Sequence, residues 1–476
     1  MAKQLNRGKD RIFYIQFMPR SPEKEVSFLK ITSSYTVKVI NKDGIYKLIA
    51  GTINVYRSAA VFLIGCINAE WDSVGPVYKE NKNKGQRAAE LLIHATKNNP
   101  VPKYDFDARF PKFPSYFRRA AISFALGVVS SYRSNYANWE ASDKKGKPPV
   151  LPEKVTAMPA FFCKNMSESD DMLEGNSSYV KLKLHVKKDW VWVTIPCRRQ
   201  DAKYLAKWWS SVEPSAPVLE EKRKRKGKAA YCLRYAFEQT CDLTLNDAPL
   251  DKRTILAVDL GINTDATCSV IHADGTVTAR KFINFPVEKD HLYHILNRIK
   301  KKQRRFGRTG GKTDWRMAMQ ISDELSKKIA NAIVNFAVLN GVNVIVFEYL
   351  STGGKIRGSK KQRLHLWRKR AVQEIVEHKA HLNLIRISHI CAWNTSKLAF
   401  DGSGILLRDP RNHQLATFAN GKQYNCDLSA SYNIGARYFL REYCNLNPKL
   451  LNQIPKASQR TYADLRSLLD DTKQAA

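Results

Sequence analysis

The chain has few acids for its size, no closely paired cysteines and no long apolar run, and each absence removes a class of function. Among 476 residues, 79 Lys and Arg stand against only 44 Asp and Glu, a formal balance of +35. Such a surplus points to a long polyanion rather than a small acidic metabolite, and nucleic acid is the first candidate. A basic chain can also bind membranes, but no stretch approaches the roughly 18 uninterrupted apolar residues that a spanning helix needs, so no membrane partner is expected. The opening MAKQLNRGKDR lacks the apolar core of a secretion signal, which predicts a cytoplasmic protein. Nine cysteines lie at 66, 163, 197, 232, 241, 268, 391, 426 and 444 without a CxxC pair, so reduced thiols are expected rather than a disulfide framework. The length suits two or three domains, each able to bury its own core.

What is present centres on three carboxylates. Ile255-Leu256-Ala257-Val258 is an apolar run long enough for a buried strand, and Asp259 ends it just before Gly261. Val342–Phe347 is a second such run, ended by Glu348. Asp427 precedes a segment in which Leu428, Ser431, Tyr432 and Gly435 recur at helical spacing. An ionised acid at the end of a core strand is costly unless something neutralises it. Three that converged would repel one another unless divalent cations lay between them, and hard oxygen ligands suit Mg²⁺ or Mn²⁺. Two ions about 3.5–4 Å apart can activate water and stabilise the leaving oxygen of a phosphodiester.

The rest of the chain alternates between strand and helix periods. Arg11–Met18 reads as a strand ended by Pro19 and Pro22. From Ile45 the pattern is helical to about residue 142, and the polar, turn-rich 142–149 reads as a boundary. From Tyr179 the period is two: Lys181, Lys183, His185 and Lys187 share one face of a hairpin that turns near Lys187-Lys188-Asp189. Glu221–Lys228 reads as an exposed basic loop and Ala229–Leu245 as a strand. Arg298–Lys312 carries eight basic residues and no acid; Arg298, Lys300, Lys301, Lys302, Arg304, Arg305 and Arg308 are candidate phosphate contacts, with Lys181, Lys183 and Lys187 on the hairpin. Helical patterns follow at Met317–Ala337 and Leu364–Ala380, a basic flexible loop at Gly353–Lys361, and a strand at Leu384–Ile387. The tail beyond Arg441 reads as partly helical and uninformative.

The elements AVDLGIN, VIVFEYL and NCDLSASYNIGAR resemble the three split motifs of a RuvC-type nuclease domain, as used by transposon-encoded TnpB nucleases and compact type V CRISPR effectors. The resemblance covers about the last half of the chain. It implies a multidomain α+β and α/β protein: a helical recognition lobe and a small wedge-like β-barrel, followed by an RNase H-like RuvC nuclease domain. The implied boundaries are 1–44 and 143–250 for the two parts of the barrel, 45–142 for the lobe and 251–476 for the nuclease. Within the nuclease, a basic bridging helix is expected at about 291–312 and a ribbon or flap at about 391–425. In the family, the acids matching Asp259, Glu348 and Asp427 are the catalytic metal ligands, and two Mg²⁺ or Mn²⁺ ions are implied.

Relatives carry a four-cysteine zinc ribbon where this chain has Ala399, Gly402, Thr417 and Asn420, so no structural Zn²⁺ is expected. Cys391 and Cys426 with His389 or His413 lack the short-range pairing of a zinc site. Thr395-Ser396 matches a TS element that precedes the ribbon in relatives, and a mobile flap after it is expected to gate the metals. The implied function is an RNA-guided DNA endonuclease of the prokaryotic cell interior. Its guide RNA pairs with target DNA beside a short flanking motif, with one or two protein copies on one RNA. Two alternatives stay open: a cleavage-deficient RNA-guided DNA-binding protein, and an RNase H-like transposase or resolvase acting without RNA.

Overall fold

The computed structural model describes residues 28–96, 99–159, 166–223, 229–307, 311–349, 360–412 and 414–475. They form two compact units, Thr32–Gln239 and one built on Thr240–Ala476. The strand expected at 11–18 lies outside the described residues.

In the first unit, β1 (Phe28–Lys38) leads into α1 (Ile45–Ala69), α2 (Trp71–Glu80), α3 (Lys82–Ile93), α4 (Phe106–Arg109) and α5 (Ser115–Ala141). By length and composition α1 could cross a membrane. A search for uninterrupted apolar runs passes over it because Thr52, Asn54, Arg57 and Ser58 break the sequence. In the fold it is a core helix: Ile49, Ile53, Leu63 and Ile67 are at most 2% exposed and join the cluster of Phe117, Ala121 and Ala125 on α5. Short β2 (Ser167–Glu168) and α6 (Asp170–Leu173) precede the hairpin of β3 (Tyr179–Val186) and β4 (Asp189–Pro196). The hairpin turns through Lys187 and Lys188, both at positive φ. Then come α7 (Arg199–Trp209), β5 (Val218–Arg223) and β6 (Ala229–Asp242). Glu221, Lys222 and Arg223 therefore belong to a paired strand rather than to the expected basic loop, whose remaining residues 224–228 lie outside the described residues. The described strands make two three-stranded sheets, β1-β6-β5 and β2-β3-β4, with an isolated bridge between Val39 and Cys197.

The second unit is a five-stranded sheet covered on both faces. β7 (Thr254–Asp259), β8 (Ala266–His272) and β9 (Val277–Ile283) run as an antiparallel meander. After α8 (Pro286–Phe306) and α9 (Lys312–Leu339), β10 (Val344–Glu348) joins β7 in parallel. After α10 (Lys360–Leu382), β11 (Arg386–Ile390) joins β10 in parallel, giving the order β11-β10-β7-β8-β9. Side chains alternate across the central strand, which is why it reads as one apolar run. Leu256 and Val258 pack with Leu325, Ile329 and Ile333 of α9 and Val372 and Val376 of α10. Ile255 and Ala257 pack on the other face with Ile434 and Phe439. That face is covered by α11 (Cys426–Leu446), on which α12 (Tyr462–Ala475) packs. The tail is thus part of the core: Leu465 is fully buried, and the carbonyls of Ser458 and Arg460 accept from the buried Arg437 guanidinium.

Gly435 lets α11 approach the sheet. A Cβ there would lie 2.4 Å from Ile271 Cδ1 and 3.3 Å from Ala257 Cβ. Gly435→Val is expected to destabilise this unit by about 2 kcal/mol through overpacking, measured by urea unfolding; an unchanged midpoint would contradict the close approach.

Between β11 and α11 lie β12 (Leu407–Arg408), β13 (Leu415–Thr417) and β14 (Gln423–Asn425), a small antiparallel sheet. Ala399, Leu406, Ala416, Phe418 and Cys426 form its apolar cluster, joined by Phe400 and Tyr424. Asp401 accepts from the Ser403 backbone N–H and hydroxyl and from Asn420 Nδ2 at 2.9 Å. The segment expected to be a ribbon or flap folds as a small sheet with an apolar cluster beneath it. His413 lies outside the described residues.

Candidate active site

Asp259 and Glu348 meet because β7 and β10 are adjacent and parallel. Val258 pairs with Phe347 in register, so the two acids stand one step further on, at the carboxyl ends of neighbouring strands. Strand spacing puts such backbones about 4.8 Å apart. Alternation turns both acids to the α11 face, because Val258 and Phe347 belong to the opposite cluster while Ala257 and Val346 belong to that of α11. α11 carries Asp427 in its first turn, where the helix N-terminus favours negative charge. Asn425 caps that helix by accepting from Leu428 N–H at 2.9 Å. The structure thus brings the three acids into one neighbourhood.

Electrostatics report the crowding. Burial, then the Glu348 charge and more weakly that of Asp427, push the Asp259 carboxyl up to about 7, against the opposing pull of Lys369 and Arg408. Glu348 is oriented by Thr395, whose hydroxyl donates to Oε1, and Gln373 Nε2 donates to its backbone carbonyl at 3.0 Å. Thr395 is fixed in turn by Asn433, whose Nδ2 donates to the Thr395 carbonyl at 3.1 Å, while Arg437 ties down the preceding loop through the carbonyls of Cys391 and Trp393. Arg368, on α10 beside Lys369, is buried against Asp265, 3.3 Å away, which anchors α10 to the loop after β7.

The groups gathered here are hard oxygen donors of the kind that suit a divalent cation: three carboxylates, with Asp259 raised first by burial and then by Glu348, and close by on β8 the Thr267 hydroxyl, buried without a hydrogen-bond partner and paired in register with Asp259. Among the described residues, no group of three or more His, Cys, Asp or Glu side chains is placed to hold a metal ion as the side chains stand. The carboxylates fit such an ion by chemistry and by their mutual repulsion.

The basic rod is α8. Leu292, Ile295 and Ile299 bury its inner stripe against Ala318 and Trp315 of α9, leaving Arg298, Lys300, Lys301, Arg304 and Arg305 exposed and without a carboxylate partner among the described residues. Lys302 differs from these in having a partner. Its Nζ lies 2.6 Å from Asp314 Oδ2, so an acid just past the basic run pairs with it across the turn. Lys181 is likewise paired, with Glu168 at 2.9 Å across the β2–β3 ladder, whereas Lys183 and Lys187 have no acidic partner among the described residues. Arg308 lies outside the described residues. Sequence reasoning missed Lys369, Arg408 and the role of Thr395, since each reaches the acids from a distant part of the chain.

Comparisons with known proteins give three findings. A model of the Aq_aa04 family matches residues 33–186. No curated protein matches the chain. Among solved structures, the cryo-EM structure of a Cas12f1–sgRNA–target DNA complex is similar at 14% identity and a TM-score of 0.41, covering 92% of this chain and 98% of that one. CasPhi-2 (Cas12j) bound to crRNA is similar at 10% identity and a TM-score of 0.46, covering 85% and 97%. C2c1 of Alicyclobacillus acidoterrestris in complex with single-guide RNA is similar at 10% identity and a TM-score of 0.43, covering 83% and 71%.

Proposed function

We propose that the chain is an RNA-guided DNA endonuclease of the RuvC type, with Asp259, Glu348 and Asp427 as the acids of an RNase H-like nuclease domain. The observation that carries the reading is the placement of Asp259 and Glu348 on adjacent parallel strand ends facing Asp427 at the start of α11. The sheet order, three antiparallel strands extended by two parallel ones, supports the RNase H-like assignment. The three carboxylates would hold Mg²⁺ or Mn²⁺, which when bound supplies an activated water and neutralises charge on the leaving oxygen.

The chain's own side chains do the rest. Thr395 holds the Glu348 carboxylate in one orientation, and Lys369 and Arg408 bring positive charge to the acids where a phosphodiester would enter. The exposed basic face of α8 follows a nucleic-acid backbone, while base pairing between guide and target supplies sequence choice. The test is to purify the chain with the RNA expressed from its own locus, sequence that RNA, and offer Mg²⁺ and duplex DNA matching its variable end. Cutting at matched sites alone is expected. Cutting that survives removal of the RNA would favour an RNase H-like transposase or resolvase.

The α8 contacts separate by their partners. Lys300→Gln with Arg304→Gln is expected to reduce the slope of log affinity against log salt by about 1.4–1.8. Lys302→Gln, whose charge is already matched by Asp314, is expected to leave that slope within about 0.3 of the parent. Equal effects from both variants would contradict the assignment of the free face as the phosphate contact.

A further inference from the structure

α7 shows a surface that none of the site residues above explains. Its inner side is Asp201, Ala202 and Leu205, all buried; its outer side presents Arg199, Lys203 and Lys207 at i, i+4 and i+8, beside Tyr204 and Trp208. Like charges at that spacing repel and weaken a short helix. No acid offsets them: Asp201, the only acid of the helix, accepts from Arg198 Nε at 3.0 Å, from the Tyr35 hydroxyl at 3.1 Å and from Lys38 N–H at 2.9 Å. The three basic side chains have no carboxylate partner among the described residues. The aromatics differ as sharply from their neighbour. Trp209 turns inward and stacks on Phe237 at 4.7 Å, whereas Trp208 is 60% exposed and Tyr204 41%. Tyr204 is held by stacking on Tyr35 at 4.5 Å, and Lys207 Nζ lies 4.8 Å from the Trp208 ring centroid.

A row of unopposed cations beside exposed flat rings is the chemistry that binds unpaired nucleotides, with phosphates on the cations and bases on the rings. A duplex hides its base faces, so the rings select single strands. We propose that the outer face of α7 binds an unpaired segment of RNA, with Trp208 as the stacking platform and Arg199, Lys203 and Lys207 along the backbone. The choice of RNA over single-stranded DNA rests on the RNA-guided reading above, in which RNA is the standing partner.

The test measures binding of the full chain to a fluorescein-labelled single-stranded RNA of mixed sequence, to single-stranded DNA of the same sequence and to blunt duplex DNA. Trp208→Ala is expected to weaken RNA binding about tenfold or more, Trp208→Phe to keep most of it, and neither to change duplex binding. Lys203→Gln with Lys207→Gln is expected to lower the salt slope on single strands by about 1.4. Crosslinking of 4-thiouridine-substituted RNA should give adducts on Tyr204 or Trp208. Unchanged RNA affinity of Trp208→Ala, with adducts elsewhere only, overturns the proposal. A loss confined to single-stranded DNA overturns the choice of RNA. A parent chain that ignores RNA altogether overturns the RNA-guided reading and this proposal with it, whereas a parent that binds RNA as tightly as its Trp208→Ala variant sinks the α7 surface alone.

Discussion

Asp259→Ala is expected to lower Mg²⁺-dependent DNA cleavage by about a thousandfold or more and to leave RNA binding within about twofold of the parent, because a lost metal ligand removes several kcal/mol of transition-state stabilisation. The position explains the size of the effect. Asp259 ends the central strand of the five-stranded sheet, next in register to Glu348 and on the face that α11 covers, so its removal breaks the cluster at its middle. The proposed RNA contacts lie elsewhere, on α8 and α7. Cleavage of matched DNA, followed on a gel with the copurified RNA held constant, checks the prediction; a variant that still cuts would remove the three-acid assignment. A parent chain that binds matched DNA but does not nick it with Mg²⁺ or Mn²⁺ would favour the cleavage-deficient alternative instead.

The same strand shows why part of this molecule can be read from its sequence. Ile255–Val258 is apolar on both faces because helices cover both faces, and the Asp that ends it stands out against that background. Periodicity also marks α5, where aromatic and small residues recur from Ser115 onward, and the hairpin of β3 and β4, where lysines alternate with Val180, Leu182 and Leu184. β8 and β9 carry no comparable signal. β8 mixes Thr267, Cys268 and Ser269 into a buried strand, and β9 is a sheet edge with Arg280 and Lys281, so neither shows a simple hydrophobic pattern. The expected strand at Leu384–Ile387 begins late, at Arg386, because Leu384 takes positive φ as the chain leaves α10.

Partners are less legible than elements, since pairing depends on residues the chain brings together from afar. Thr395 reaches Glu348 across 47 positions, and Ser431 meets Ser269 across 162. The pairing of Lys302 with Asp314 is local in sequence, yet a count of charges that stops at Lys312 misses it. The ribbon region makes the complementary point. The four positions that carry cysteines in relatives hold other side chains here, and the loop is braced by Asp401 with Asn420 and Ser403 and by the rings of Phe400, Phe418 and Tyr424. The same subdomain carries Arg408, whose charge bears on Asp259.

Asp259→Asn separates the acid's chemical role from its energetic one, because in the metal-free protein the amide is expected to stabilise the fold above neutral pH. The carboxyl titrates near 7 in the folded chain, raised by burial and then by Glu348, against about 3.9 in an unfolded one. A raised carboxyl favours the protonated fold, so its contribution is fully present below about pH 4, is lost as pH rises through 7, and is constant above that. In a chelator, the parent is therefore expected to lose stability between pH 4 and 7 relative to Asp259→Asn; the two should unfold alike near pH 4, and the amide should be the more stable at pH 8. Mg²⁺ should reverse the order at pH 8, because an ion held only by the folded parent adds stability that the variant gains weakly. Paired urea titrations across this range, with chelator and with Mg²⁺, decide the matter. A parent as stable as the variant at pH 8 in chelator would mean that neither burial nor the neighbouring acids raise the Asp259 carboxyl, and the case for a cation among the acids would lose its physical ground.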